Sequence, residues 1–138
     1  MSKITLWFSK EQLNKMIENF KKVSSCSGVN ELIGLTPEEI INHKEAPRWA
    51  FWYVKDVLKT RDESFEEVIK KSPEYSYYYV KYFLKIREKS FEKSIKKSPE
   101  WSYDYVRDFL KIREKSFEKS IKQNEIYWKK YQGCVPPA

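Results

Sequence analysis

Two tyrosines four positions apart, Tyr78 and Tyr82, have the clearest capacity for chemistry in this 138-residue chain. Residues four apart lie on the same side of a helix, so their rings are expected to form one outward patch. Lys81 and Lys85 stand beside them and would place ammonium groups at its edge. Exposed aromatic rings flanked by cations are typical of the residues that contribute most to protein interfaces. They are equally typical of surfaces on which single-stranded nucleic acid stacks.

Positive charge is concentrated in the same part of the chain. The whole sequence has a net charge of +7. Residues 72–97 contain seven basic and three acidic side chains, which gives +4, whereas 46–71 and 98–123 each have six basic and five acidic side chains, which gives +1. A basic surface favours acidic or phosphate-bearing partners.

Each kind of partner predicts its own set of contact residues. For a protein partner they are Trp52, Tyr78, Tyr82, Lys81, Lys85 and Lys89. For RNA or single-stranded DNA they are Lys81, Lys85, Lys89, Lys93 and Arg107. Trp52 enters the first set because it stands 26 residues before Tyr78, which is the spacing of the sequence repeat described below.

Side chains suited to catalysis or metal binding are scarce. His43 is the only histidine, and it stands in a charged stretch with no cysteine near it in the sequence. Cys26 and Cys134 are far apart, so neither a disulfide framework nor a zinc site is expected. The sequence contains no glycine-rich phosphate loop, dinucleotide fingerprint or metal-ligand spacing. We therefore expect a protein that is not an enzyme and needs no metal or cofactor.

The start of the chain contains little hydrophobic sequence. Its apolar run extends only from Ile4 to Phe8, which is too short for a signal peptide or a membrane span. Together with the two distant cysteines, this predicts a soluble protein in a reducing cytoplasm, without a membrane partner.

A repeat of 26 residues organises most of the chain. Residues 98–123 closely match residues 72–97, and the run from Leu84 to Lys96 is identical to the run from Leu110 to Lys122. Residues 46–71 are a more diverged copy in the same register. A fixed period of this length is typical of stacked-repeat proteins.

Each copy has the pattern of a helical hairpin. A serine or alanine followed by proline begins it, as expected for an N-cap and first helical turn. A helix of roughly twelve to fourteen residues with a wide apolar stripe follows. A shorter helix comes next, and in the middle copy Phe91 and Ile95 are predicted to face the core from it. On the outer side of that helix, Glu92 and Lys96 are predicted to form an ion pair.

A single hairpin of this size cannot bury its apolar face, but several stacked copies can. The expected fold is therefore all-α, a short α-solenoid of stacked helical hairpins with an N-terminal helical cap. The predicted divisions are 1–45 as the N-terminal helical cap or a degenerate repeat, 46–71, 72–97 and 98–123 as three repeats, and 124–138 as a half repeat and tail. Within the cap, helices are predicted over 10–23 and after Thr36.

An arginine closes the first helix of every copy, at Arg61, Arg87 and Arg113, and an acidic residue follows each one. A row of arginines could bind successive phosphates. The arginines could equally pair with carboxylates of their own or the adjacent repeat. We favour the second interpretation because they stand in register with the apolar stripe.

The order of residues within a copy resembles that of a known class of protein. Serine–proline, an aromatic residue, Tyr–Val, Leu–Lys, arginine, Phe–Glu and isoleucine follow one another at fixed spacing over 46–131. Its clearest points in the middle copy are Tyr79, Leu84, Lys85, Arg87, Glu92 and Ile95. This pattern resembles the short tandem helical repeats of many uncharacterised bacteriophage and prophage proteins.

The resemblance implies a helical solenoid of phage or mobile-element origin without an established catalytic activity. Those repeats usually have glycine after the Leu–Lys pair, where this chain has Thr60, Ile86 and Ile112. The difference predicts that the chain makes no tight left-handed turn there and that the first helix continues further.

Three functional hypotheses follow. The first is a protein-binding repeat module directed at a host protein or ribonucleoprotein, for instance an inhibitor of a defence complex such as a CRISPR nuclease in the cytoplasm of a bacterial host. The second is binding of RNA or single-stranded DNA by the basic, aromatic face of the middle repeat. The third is a structural or assembly role, with the chain as a monomer or weak homodimer.

Overall fold

The computed structural model describes Glu11, Asn14, Glu18 and residues 46–137, and every regular element within these residues is helical. The predicted all-α class is confirmed for this part of the chain. The chain divides into two compact units, Met1–Ile69 and Lys70–Ala138.

Three residues of the predicted helix over 10–23 fall within the described part of the chain. Glu11, Asn14 and Glu18 have helical backbone and exposed side chains. Their spacing of three and four residues places them on one side of a helix. The remainder of 1–45, including the helix predicted after Thr36, lies outside the described residues.

The first unit contains one helical hairpin among its described residues. Helix α1 (Ala46–Trp52) continues as a π-helical segment, Tyr53–Leu58, and helix α2 (Glu63–Ile69) follows. Trp49, Ala50, Val54 and Ile69 are fully buried. Both helices of the hairpin therefore contribute buried side chains to the core of this unit.

The second unit repeats this arrangement with a period of 26 residues. Its elements are α3 (Pro73–Tyr78) with a π-helical segment Tyr79–Leu84, α4 (Lys89–Ile95), α5 (Pro99–Tyr105) with a π-helical segment Val106–Leu110, α6 (Lys115–Ile121) and α7 (Glu125–Cys134). Helix α3 packs against α4, and α5 packs against α6. Helix α7 lies against both α5 and α6, and so stands where a further first helix would stand.

The first helices begin as their sequence predicts. The Ser72 hydroxyl accepts a hydrogen bond from the Tyr75 amide at 3.2 Å, and the Ser98 hydroxyl accepts one from the Trp101 amide at 3.3 Å. Asn124 accepts from the Ile126 amide at 3.0 Å at the start of α7. These side chains satisfy amide groups that have no partner within the helix.

The first helices end at a left-handed lysine. Lys59, Lys85 and Lys111 have φ values of 54°, 58° and 63°. Each donates its amide to a carbonyl oxygen five residues earlier, 2.7 Å away for Lys85 and Val80. The predicted continuation of the helix is therefore wrong, because the chain must reverse before Lys89 for Phe91 to reach the core, and one left-handed residue makes that reversal without glycine.

The second helix of the middle copy directs its only carboxylate inward. Glu92 is 4% exposed. Its two oxygens accept from Arg87 Nε at 2.8 Å and Arg87 Nη2 at 3.1 Å, and the Tyr105 hydroxyl of the next copy donates to Oε2 at 2.5 Å. The predicted Glu92–Lys96 pair on the outer side is wrong, because the buried arrangement gives this carboxylate stronger, charge-assisted partners.

Equivalent contacts occur in the other copies. In the first unit, Arg61 binds both oxygens of Glu66, at 2.8 and 3.0 Å. In the second unit, the Tyr131 hydroxyl donates to Glu118 at 2.8 Å. Arg87 also contacts Glu114 of the following copy at 3.1 Å. The interpretation of the arginines as partners of carboxylates is thus confirmed for the first two copies.

The third arginine has a different set of partners. Arg113 donates to the carbonyl oxygens of Gln132 at 2.8 Å and Val135 at 3.0 Å, near the end of α7. Cations stabilise the carbonyl end of a helix, where backbone acceptors lack partners. Arg113 therefore stabilises the C-terminal end of α7, the last helix of the chain's described part.

The first prediction concerns the hydroxyl that joins two copies. Tyr105→Phe is expected to lower the free energy of unfolding by about 1.5–3 kcal/mol, because it removes a hydrogen bond to a buried carboxylate. Tyr127→Phe is the control, since its hydroxyl makes no hydrogen bond with the described residues, and it should change stability little. Urea unfolding followed by circular dichroism measures both. Equal effects would contradict the assigned role of Tyr105.

The second prediction concerns the left-handed turn. Lys85→Gly should raise the free energy of unfolding by about 0.5–1 kcal/mol, since the left-handed conformation is costly for residues with a side chain and free for glycine. Lys93→Gly, within α4, should instead lower it by about 1 kcal/mol. Thermal unfolding of both variants tests this, and destabilisation by Lys85→Gly would show that the turn carries no strain.

Candidate functional site

An aromatic surface lies where α3 and α5 meet in the second unit. Helix α3 supplies Tyr77 and Tyr78, the π-helical segment after it supplies Tyr82, and α5 supplies Trp101. We call these four residues, together with Lys81, the aromatic face. Four side chains from one copy and one from the next therefore build it.

The rings of the aromatic face form a continuous cluster. The centroid of Tyr78 is 6.0 Å from that of Tyr82 and 5.6 Å from that of Trp101. The centroid of Tyr77 is 5.5 Å from that of Trp101. The Tyr78 and Trp101 rings meet edge to face, with an interplanar angle of 70°. Such contacts hold aromatic rings in fixed orientations.

Exposure differs between the two tyrosines that the sequence singled out. Tyr82 is 48% exposed. Tyr78 is half-buried against Trp101, and this loss of solvent raises the pKa of its hydroxyl. Tyr82 is therefore the ring that is accessible to a partner, and Tyr78 packs against it.

Lys81 lies between two of the rings. Its Nζ is 5.5 Å from the centroid of Tyr77 and 5.1 Å from that of Tyr82, and it donates to the Tyr77 hydroxyl at 3.2 Å. These distances are those of cation–π contacts. The ammonium group is thus held at the edge of the aromatic face.

A group of charged residues from the third copy borders this face. The Tyr77 hydroxyl donates to Asp108 at 3.0 Å, and Arg107 donates to both oxygens of Asp108, at 2.7 and 2.8 Å. Arg107 also lies 3.3 Å from Asp104. Arg107, one of the cations predicted to bind nucleic acid, is therefore held by two carboxylates.

The pKa values of these groups follow from their surroundings. The Arg107 guanidinium lowers the pKa of Asp108. Burial raises the pKa of Asp104 more than the nearby arginine lowers it. Burial and the Asp108 carboxylate raise the pKa of the Tyr77 hydroxyl. At neutral pH Tyr77 is therefore a hydrogen-bond donor and Asp108 is ionised.

The other predicted contact residues lie elsewhere. Trp52 belongs to the first unit, where it is half-buried with Lys55 Nζ 5.0 Å from its ring centroid. Lys85 is exposed at the left-handed turn. Lys89 and Lys93 are exposed on α4 and line a separate cleft.

That cleft has a volume of about 400 Å³. It is lined by Arg87, Lys89, Glu92, Lys93, Lys96, Glu114 and Ser116. The structure therefore separates the predicted cations: Lys81 lies among the rings, Arg107 lies beside Asp104 and Asp108, Lys85 lies at the turn, and Lys89 and Lys93 line the cleft.

Sequence reasoning missed two members of the aromatic face. Trp101 and Tyr77 recur as aromatic residues at their positions in several copies, which is typical of core. The stacking of successive copies could have indicated this contact, because it allows a side chain at the seventh position of one copy to meet the fourth position of the next. Tyr78 and Trp101 occupy those two positions.

In the described ranges, no group of three or more histidine, cysteine, aspartate or glutamate side chains could hold a metal ion. No helix among the described residues is both long and apolar enough to cross a bilayer. His43 and Cys26 lie outside the described residues.

Comparison with known protein families, with characterised proteins and with solved structures found no match to this chain.

The third prediction uses the two carboxylates beside Arg107. Asp108 has a lowered pKa, so its ionised form stabilises the fold above its unfolded pKa of about 4, and this contribution is lost as the pH falls through the folded value. Asp108→Asn should therefore lower the free energy of unfolding at pH 7. Asp104 has a raised pKa, so Asp104→Asn should not lower it.

Urea unfolding at neutral pH and again well below pH 4, where the lowered pKa of Asp108 is reached, measures both variants. The deficit of Asp108→Asn should shrink toward the lower pH as the wild-type carboxylate becomes protonated. A larger loss for Asp104→Asn than for Asp108→Asn would contradict the assigned electrostatics.

Proposed function

We propose that this chain is a non-enzymatic recognition module, a short α-solenoid whose aromatic face binds another protein. The observation that supports it best is the ring cluster itself, in which Tyr82 is 48% exposed and packs against Tyr78, which in turn packs against Trp101. Tyrosine and tryptophan contribute large contact areas at little entropic cost, and they are enriched among the residues that dominate protein interfaces.

The proposed solenoid rests on equivalent contacts in successive copies. The buried tyrosines Tyr105 and Tyr131 each donate to a glutamate of the preceding copy, Glu92 and Glu118. Capping serines also recur 26 residues apart. Contacts that repeat between neighbouring copies are the basis of stacked-repeat folds. In this proposal residues 1–45 form the N-terminal cap and α7 closes the other end.

Charge favours a protein partner over RNA or single-stranded DNA at the aromatic face. Asp104 and Asp108 border it and neutralise Arg107. Two carboxylates beside the rings would repel a phosphate backbone, whereas they suit a mixed-charge protein surface. Binding of single-stranded nucleic acid through Lys81, Lys85 and the tyrosines stays an alternative prediction.

The kind of partner is proposed from the resemblance to phage repeats. A phage-encoded binding module without catalytic machinery acts most economically on a host protein. A defence complex such as a CRISPR nuclease, in the cytoplasm of a bacterial host, is the target that we propose. Self-association through Tyr82 is the remaining alternative, and light scattering that finds only monomer at high concentration would remove it.

The fourth prediction tests the aromatic face. The chain is immobilised and incubated with an extract of the bacterial host, and bound proteins are identified by mass spectrometry. Tyr82→Ala, alone and with Tyr78→Ala, should lose a partner that the wild-type chain retains. Ile126→Ala is the matched control, because Ile126 is 64% exposed on α7, outside the aromatic face, and it should retain that partner.

Circular dichroism of each variant checks that helical content is unchanged. Retention of the same partner by Tyr82→Ala would contradict the proposal. Loss of the partner from the wild-type chain after nuclease treatment of the extract would show instead that the captured species was bound through nucleic acid.

A further inference from the structure

The outer sides of α4 and α6 carry a periodic set of lysines. They are Lys89, Lys93 and Lys96 on and just after α4, and Lys115, Lys119 and Lys122 at the equivalent places of α6. Spacings of four and three residues place each set of three on one side of its helix. All are exposed except Lys96, which is half-buried. We call these six residues the lysine face.

No carboxylate neutralises the lysine face. Each helix has one acidic residue, and both are directed inward, since Glu92 binds Arg87 and Tyr105 and Glu118 accepts from Tyr131. Within the described part of the chain, none of the six lysines forms an ion pair with a carboxylate. Positive charge on this side of the second unit is therefore unopposed.

The two helices share the cleft described above. Lys89, Lys93 and Lys96 line it from α4, and Ser116 lines it from α6. The lining side chains comprise four cations and two carboxylates, a net charge of 4 − 2 = +2. Because Arg87 already holds both carboxylates, the three lysines remain available to a ligand.

Two lysines of the face are held by aromatic rings. Lys96 Nζ lies 4.8 Å from the ring centroid of Phe117, and Lys122 Nζ lies 4.8 Å from that of Trp128. Such contacts position an ammonium group without neutralising its charge. The ammonium groups of Lys96 and Lys122, the last lysine of each set, are thus held in fixed positions.

We propose that the lysine face binds the phosphate backbone of double-stranded nucleic acid without sequence preference. Lysine and serine, here including the exposed Ser90 and Ser116, are residues that contact phosphates. Lysine is depleted from protein interfaces, and this face has no exposed aromatic anchor, which argues against an acidic protein. A single strand would require exposed rings for stacking, and these lie on the aromatic face instead.

The first unit lacks this feature. The positions equivalent to the first two lysines are Glu63 and Glu67, and only the third, Lys70, is basic. The phosphate-binding surface is therefore confined to the second unit. It does not depend on the aromatic face, so either proposal can fail while the other stands.

The test is fluorescence anisotropy of the whole chain with a labelled DNA duplex of about 20 base pairs at several salt concentrations. Four or more phosphate contacts predict a loss of affinity of about 100-fold between about 50 and 200 mM NaCl. Lys93→Gln with Lys119→Gln should weaken binding at low salt at least about tenfold and reduce the salt slope by about two. Neither Lys93 nor Lys119 makes a side-chain hydrogen bond, ion pair or ring contact with the described residues, so the variant should stay folded.

Lys129→Gln with Lys130→Gln is the matched control, because it removes two exposed charges from α7. It should leave the salt slope unchanged, and Tyr82→Ala should leave duplex binding unchanged. The proposal is overturned if the duplex does not bind at low salt, if the control weakens binding as much as Lys93→Gln with Lys119→Gln, or if the same sequence as a single strand binds more tightly.

Discussion

The buried carboxylate of Glu92 is the group on which the arrangement of the second unit depends. A charge can be buried only if neighbouring groups replace the water that it loses. Arg87 provides two of those contacts from the same copy, and the Tyr105 hydroxyl provides one from the next. The contact to Arg87 requires the chain to reverse at Lys85, and the contact to Tyr105 sets one copy against its neighbour.

The same carboxylate determines which charges reach the surface. With Glu92 and Glu118 directed inward, the outer sides of α4 and α6 retain lysine and serine alone. The first helices carry aromatic rings at the meeting of α3 and α5. The second unit therefore presents two chemically distinct surfaces, and each comes from a different helix of the hairpin.

Differences between copies give the aromatic face its character. Where the middle copy has Tyr82, the third has Asp108, and that carboxylate holds both Tyr77 and Arg107. The Asp108 carboxylate of the third copy thus fixes the position of the Tyr77 ring in the middle copy. The contact joins the sixth position of the middle copy to the eleventh position of the third.

Local sequence determined the all-α class, the 26-residue period and the helix starts at Ser72 and Ser98, because capping and helical periodicity depend on residues only three or four positions apart. The left-handed turn at Lys85, the inward direction of Glu92 and the position of Trp101 beside Tyr78 were decided by tertiary structure. Each depends on a partner or a reversal of the chain beyond one helical turn. The charge pattern of α4 alone predicts an outer ion pair, whereas Arg87 and the hydroxyl of Tyr105, 13 residues away, hold the carboxylate inside.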